Sequence, residues 1–213
     1  MSSRLRRIGL LPGSFNPPHL GHIHLAALAS RIASLDACFF YVNSINAAKQ
    51  AELIPAWQRE DLLRLILQDR CDSVIGSAYF PDKCAGMLVA QEIIFLPLIE
   101  KLSASYDSPP EVWLIRGSDN FRPLDDGGLP YPAELCGIPH VIGIREDSHW
   151  HYDYSALARK IFVRTCAVSS SDIRRTLQHH GPVDHLIDRR ARDYILAHGL
   201  FGTDTAPAAS GCR

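Results

Sequence analysis

The sequence predicts an α/β fold: a doubly wound, mostly parallel sheet covered by helices on both faces, with two helices closing the C-terminus. Three observations predict it. Short apolar runs recur along the chain, as in strands buried within a sheet. Longer segments with apolar residues near helical spacing lie between them. The first apolar run also ends in Pro-Gly and leads, through a short loop, into a helical pattern, the order of a strand–loop–helix unit that returns to its sheet by a crossover.

Arg7 to Leu11 reads as the first buried strand, stopped by Pro12-Gly13. His19 to Leu35 carries Leu20, Ile23, Leu25, Leu28 and Ile32 near helical spacing. Ala37 to Val42 (ACFFYV) is the second strand. Ala56 to Asp69 is an amphipathic helix with a broad apolar face of Leu62, Leu63, Leu65, Ile66 and Leu67, and Pro55 suits its first turn. Lys83 to Ser105 reads as a further helix, broken at Pro97. Glu111 to Ile115 and His140 to Ile144 are strands, each followed by an Arg, and Ile161 to Val163 is a short one. Ser169 to His179 and Pro182 to His198 are the closing helices.

The 213 residues fit a single domain over residues 1–201, with a small, polar, frayed tail over 202–213. Hydrophobic residues make up 46% of the chain and charged residues 21%, which excludes disorder as the main state. A net charge of -1 argues against a strongly basic nucleic-acid binder but permits a local anion site. No apolar stretch reaches the roughly 18–20 residues of a membrane span. Ile8 to Leu11 is too short for the apolar region of a signal peptide. Six scattered cysteines without a CxxC pair read as reduced thiols of a cytoplasmic protein. Neither they nor His149-Trp150-His151 match a zinc pattern; that His-Trp-His string reads as a surface loop. The sequence leaves a homo-oligomer open.

In open α/β sheets, ligands bind beyond the carboxyl ends of the strands, so the first strand-to-helix loop, Gly13 to Ala26 (GSFNPPHLGHIHLA), matters most. Gly13 permits a tight exit and close approach of a ligand to the backbone. Pro17 and Pro18 stiffen the loop. His19 and His22 can share one side of a helix start, and Gly21 between them removes a side chain that would block access. Two imidazoles beside free backbone N–H groups at a positive helix end make an anion site able to follow charge developing on phosphoryl oxygens. A His pair alone could equally cap and solvate a helix. His24 points elsewhere and reads as structural.

Ser169-Ser170-Ser171, followed by Asp172-Ile173-Arg174, reads as a second helix start. Its hydroxyls can cap the helix or bind a phosphate, and Arg174 can fork onto phosphate oxygens. By itself the string is also compatible with a plain Ser cap and a solvated Arg. Arg175 reads as solvent-facing.

Together these strings resemble a known family. GSFNPPHLGH is similar to the [H/T]xGH signature of the nucleotidylyltransferase superfamily, and VSSSDIRR, about 150 residues further on, resembles its ISSTxxR string. Within that superfamily the chain resembles most the nicotinate/nicotinamide mononucleotide adenylyltransferases. Four more strings carry this likeness: NAAKQAELIPAWQR (Asn46 to Arg59), RGSDNF (Arg116 to Phe121), HVIGIRED (from His140) and HLIDRRARDYILAHGLF (ending at Phe201).

The resemblance implies a Rossmann-like nucleotidylyltransferase fold and transfer of AMP from ATP to a mononucleotide phosphate, forming a dinucleotide in NAD synthesis. It implies catalytic roles for His19, His22, Lys49 and Arg174. It places Gly13, Ser14, Phe15, Asn16, Gly21, Arg59, Gly117, Asp119, Arg145, Ser170 and Ser171 around the substrates, with Asp119 accepting from a ribose hydroxyl. Mg²⁺ is expected with ATP, held mostly through water, and no protein residue is assigned as a metal ligand.

The chain also departs from that family. Asn46, Ala47 and Ala48 stand where bacterial members often carry Pro-Pro-His. Neither a Trp-Glu nor a Tyr-Thr element is evident before the Gly-x-Asp strand, where the sequence is SAYFPDKCAGMLVAQE. The run DDGGLPYPAELCG replaces an expected Trp. These elements select the pyridine ring in the family. The resemblance therefore implies adenylyl transfer and leaves two alternatives beside a pyridine mononucleotide: another phosphorylated acceptor such as phosphopantetheine, or a non-catalytic nucleotide sensor. Trp113, Tyr79 and Phe80 read as core residues rather than ring platforms.

Overall fold

The computed structural model describes residues 6–43, 52–68, 75–77, 95–104, 107–121, 132–145 and 153–203. Six strands are described: β1 (Arg7–Gly13), β2 (Ala37–Val42), β3 (Ile75–Ser77), β4 (Glu111–Gly117), β5 (His140–Arg145) and β6 (Lys160–Thr165). They interleave with helices α1 (Leu20–Ile32), α2 (Ala56–Leu67), α3 (Phe95–Ala104) and the short α4 (Ala133–Cys136), and are followed by α5 (Ser170–Gln178) and α6 (Arg189–Ala197). The sheet order is β3-β2-β1-β4-β5-β6, and every pairing is parallel. This is the doubly wound order, with its switch point between β1 and β4.

The central strands are buried on both faces, with a side-chain period of two. On β1, Ile8 and Leu10 join one core with Val112 and Leu114 of β4, Leu135 of α4, and Leu96 and Ile99 of α3. Leu11 faces the opposite core with Trp113 and Ile115 of β4 and residues of α1, α2, α5 and α6. Close packing fixes where α1 lies on the sheet: a Cβ added at Gly143 of β5 would meet a Leu25 methyl at 2.8 Å.

Several elements differ from the sequence expectation. α1 stops at Ile32 because Ser34 takes a left-handed φ of 51°. β3 is a short edge strand over Ile75–Ser77, outside the expected elements. Pro97 lies within the described helix α3, which continues past it to Ala104; residues 83–94 of the expected helix lie outside the described part. β4, β5 and β6 each run further than the apolar runs that revealed them, to Gly117, Arg145 and Thr165.

The final helix begins at Arg189, capped by the Asp188 side chain, rather than at Pro182. Val183 and Ile187 are buried at helical spacing, but the chain between them makes turns, and the Leu186 carbonyl accepts the N–H of Leu20 at 3.0 Å. The expected frayed tail also starts too early at 202. Gly202 belongs to a 3-10 turn, and Thr203 is buried with its hydroxyl donating to the Leu200 carbonyl at 2.8 Å. Residues 204–213 lie outside the described part. Among the described residues no helix is long and apolar enough to cross a membrane.

Candidate active site

A cleft of about 270 Å³ opens over the carboxyl ends of β1, β4, β5 and β6, at the switch point of the sheet. Of the residues singled out in the sequence, Gly13, Ser14, Phe15, His19, Gly21, His22, Gly117, Asp119, Arg145, Ser170 and Ser171 line it. Asn16, Arg59 and Arg174 stand behind its wall. Lys49, Tyr79, Phe80 and the His149–His151 string lie outside the described residues.

The loop after β1 is built around Phe15. This residue takes a left-handed φ of 48° and tucks its ring into the core, 5.8 Å from the Phe40 centroid and edge-on to His22 at 4.9 Å. Gly13 is required there, because a Cβ would stand 2.9 Å from the Phe15 ring.

His19 and His22 form a capping box at the start of α1. The His19 Nδ1 accepts from the Gly21 N–H at 3.1 Å, and the His19 N–H donates to the His22 Nδ1 at 3.2 Å. A backbone N–H can only donate, so both Nδ1 atoms are acceptors and each neutral ring carries its proton on Nε2. The rings stack with centroids 3.7 Å apart. Burial, and then the Arg145 charge, push the His19 pKa down to about 3. Burial, then His19 and then Arg145, hold His22 well below the usual imidazole value. Both rings are therefore neutral Nε2–H donors at physiological pH.

This corrects the expectation of free backbone N–H groups at that helix start. Leu20 N–H donates to the Leu186 carbonyl, Gly21 N–H to the His19 ring and His22 N–H to the His19 carbonyl. What α1 offers an anion is its two imidazoles and its dipole. Gly21 keeps the pair in place, since a Cβ would lie 2.9 Å from the His19 ring. His24 is exposed on α1.

The start of α5 forms the opposite wall. Ser169 is the N-cap: its Oγ accepts from the Asp172 N–H at 3.1 Å and donates to the Asp172 carboxylate at 2.6 Å. The N–H groups of Ser170 and Ser171 belong to the first turn, whose donors have no intrahelical partner. Ser170 Oγ donates to the Pro17 carbonyl at 2.8 Å. Arg174 donates to the Asn16 carbonyl at 2.8 Å, to the Ser171 Oγ at 3.4 Å and to the Glu52 carboxylate. The two loops named by the sequence strings are thus bolted together. Arg175 is exposed and pairs with Asp172 at 3.4 Å.

Gly117 ends β4, and a Cβ there would collide with the Asp119 carboxylate folded back over the strand end. Asp119 faces Arg145 at 3.7 Å, both partly exposed at the cleft.

Two expected substrate contacts turn inward. Asn16 is buried, with its amide donating to the Glu52 carbonyl at 2.8 Å and accepting from the Ile54 N–H at 3.2 Å. Arg59 is buried and donates to the carbonyls of Ile54, Ser14 and Asn43 at 2.9, 2.6 and 2.7 Å. It ties the loop after β1, the end of β2 and the entry to α2 into one body. Burial lowers its pKa to about 10, so it stays charged.

The sequence reading missed Asn43, Asn120, Thr165, Cys166 and Val168, which also line the cleft. A signal existed: each follows or ends a strand whose carboxyl end faces the switch point. Trp113 is a core residue, with its indole N–H donating to Glu111 at 3.0 Å.

Residues 10–176 match the cytidylyltransferase-like family. Among curated proteins, a probable nicotinate-nucleotide adenylyltransferase of Carboxydothermus hydrogenoformans is 28% identical over 207 residues, covering 92% of this chain and 98% of that protein. One from Listeria innocua is 24% identical over 211 residues, covering 92% and 97%. Among solved structures, the Plasmodium falciparum nicotinic acid mononucleotide adenylyltransferase complexed with NaAD superposes with a TM-score of 0.70 at 16% identity, covering 94% of this chain and 100% of that one.

Proposed function

The chain belongs to the cytidylyltransferase-like family, and from that premise we propose that it transfers AMP from ATP to the phosphate of a pyridine mononucleotide, releasing pyrophosphate. The observation that carries this reading is the neutral His19–His22 pair, its two Nε2–H donors on one wall of the cleft and the α5 start on the other. Near-full-length likeness to proteins named for nicotinate-nucleotide adenylyl transfer supports the acceptor. Nicotinate mononucleotide is therefore the first acceptor to test, and nicotinamide mononucleotide the second.

An oxygen of the acceptor phosphate attacks the α-phosphorus of ATP. A new P–O bond forms, and the bond from the α-phosphorus to the bridging oxygen breaks. Pyrophosphate leaves with that electron pair. No covalent bond to the protein is needed; the chain's task is to hold two anions in line and stabilise charge on the phosphoryl oxygens. His19 and His22 donate from Nε2 to the α-phosphoryl oxygens. Being neutral, they do so without a proton-transfer step. The N–H groups of Ser170 and Ser171, with Arg174, hold the β- and γ-phosphates at the positive end of α5. Lys49 and Arg145 add cationic charge, and Asp119 accepts from a ribose hydroxyl.

Among the described residues no group of three or more His, Cys, Asp or Glu side chains could hold a metal ion. Asp119, the one carboxylate among the described lining residues, faces Arg145. Mg²⁺ belongs to the proposal as part of the ATP substrate, and no step is routed through it. Cytoplasmic residence belongs to the same proposal: Cys38, Cys136 and Cys166 are free thiols, and burial pushes the Cys38 thiol up to about 12.

A pyrophosphate-release assay with Mg–ATP and a panel of acceptors tests the reading. Release with a pyridine mononucleotide is the expected result. Release only with phosphopantetheine would move the chain to another acceptor, and silence across the panel despite ATP binding would make it a sensor.

A further inference from the structure

Arg174 is the charged group behind the α5 wall, and its side chain is only 12% exposed. One face of its fork is fixed by the Asn16 carbonyl at 2.8 Å, within the loop after β1. The other face meets the Ser171 Oγ and the carboxylate of Glu52. That carboxylate comes from a different part of the chain, four residues before α2. Its side chain is 61% exposed. The Glu52 backbone is held independently, its carbonyl accepting from the Asn16 amide at 2.8 Å. The guanidinium is therefore the fixed partner and the carboxylate the movable one. Glu52 can swing into solvent without disturbing the segment that carries it.

A largely desolvated guanidinium facing only neutral oxygens is costly. In the adenylyl-transfer reading Arg174 meets the β- and γ-phosphates, so a carboxylate held on Arg174 competes with that ligand and must be displaced or screened. The two effects have opposite consequences for the empty and the loaded protein. Resting on the adenylyl-transfer reading, we propose that Glu52 is a place-holding counter-ion for Arg174, stabilising the empty site and weakening binding of the nucleoside triphosphate. Glu52 is a positioning residue: it acts on ATP through Arg174, and the chain exchanges triphosphate affinity for an ordered empty site.

Calorimetric titration of Mg–ATP, without acceptor, into the wild type, Glu52→Gln and Glu52→Asp tests this. Glu52→Gln is expected to bind Mg–ATP roughly three- to tenfold more tightly while its ligand-free melting temperature falls. Glu52→Asp, which keeps the charge, is expected to stay near the wild type in both. In an Arg174→Met background the Gln substitution is expected to change the affinity little. Equal or weaker ATP binding by Glu52→Gln, beside a wild type that binds ATP, overturns the counter-ion role alone. An affinity gain that persists without Arg174 overturns it too. A wild type that binds no ATP overturns the adenylyl-transfer reading and this inference with it.

Discussion

The backbone N–H of His19 donates to the Nδ1 of His22 at 3.2 Å, so the helix start that positions the two imidazoles also sets their tautomer. In the proposed mechanism, capping and catalysis use opposite nitrogens of the same rings. Nδ1 closes the backbone, and Nε2–H is left for a phosphoryl oxygen.

Replacing His22 separates these roles. His22→Ala is expected to fold, to lose about 1 kcal/mol with its half of the capping box, and to lose roughly 10²–10³ in turnover with a donor to the transition state. His22→Gln can accept the His19 N–H as capping-box residues do. It should recover stability while turnover stays at least about tenfold down. Thermal melts and steady-state kcat on the three proteins check this, and full turnover in a folded His22→Ala would remove His22 from the chemistry.

Gly21→Ala sets helix propensity against site geometry. Ala favours a helix by up to about 1 kcal/mol over Gly, but the added methyl would lie 2.9 Å from the His19 ring. Moving that buried ring costs a capping bond of similar size, so the expected outcome is a melting temperature that changes little or falls and a kcat lower by about tenfold or more. Unchanged kcat would mean that the stacked arrangement is not required.

Arg59 predicts a stability effect. Arg59→Met strips the donor from three carbonyls on separate segments. Loss of one partner in such a buried charged network costs about 3 kcal/mol or more. Chemical denaturation should show that loss. Wild-type stability in Arg59→Met would contradict the bolt.

The buried histidines predict how stability follows pH. Burial lowers His140 to about 4 and His19 to about 3, against 6.5 for a free imidazole. Below about pH 6.5 the unfolded chain takes up protons that the folded chain refuses. Their contribution is thus full above pH 6.5 and is lost as pH falls toward 4. His140→Phe should melt with a shallower dependence across that window; parallel curves for variant and wild type would contradict it.

The two helix starts were legible because their chemistry is local. A strand ended by Pro-Gly, a His-x-Gly-His string and a triple-Ser cap each announce themselves within a few residues. The sheet's parallel order followed from the alternation of apolar runs and helices. What stayed hidden depends on contacts between distant residues. Asn16 and Arg59 carry polar groups that fit a substrate site, but their partners are backbone atoms, and those that tie separate segments together lie 36 residues away for Asn16 and 16 and 45 residues away for Arg59. Only three residues of β3 are described, and they carry no pattern of their own, so the pairing with β2 defines it. The turns over residues 182–188 imitate a helix because two buried side chains fall at helical spacing. Glu52 carries no local signal, because its partner Arg174 lies 122 residues away in sequence.

The central claim is that this cleft moves AMP from ATP onto a mononucleotide phosphate in one step. The most direct test supplies ATP labelled at the α-phosphorus together with nicotinate mononucleotide. The proposal predicts label in a dinucleotide, formed in equal amount with pyrophosphate. Label remaining in ATP, or appearing only as free AMP, would contradict it.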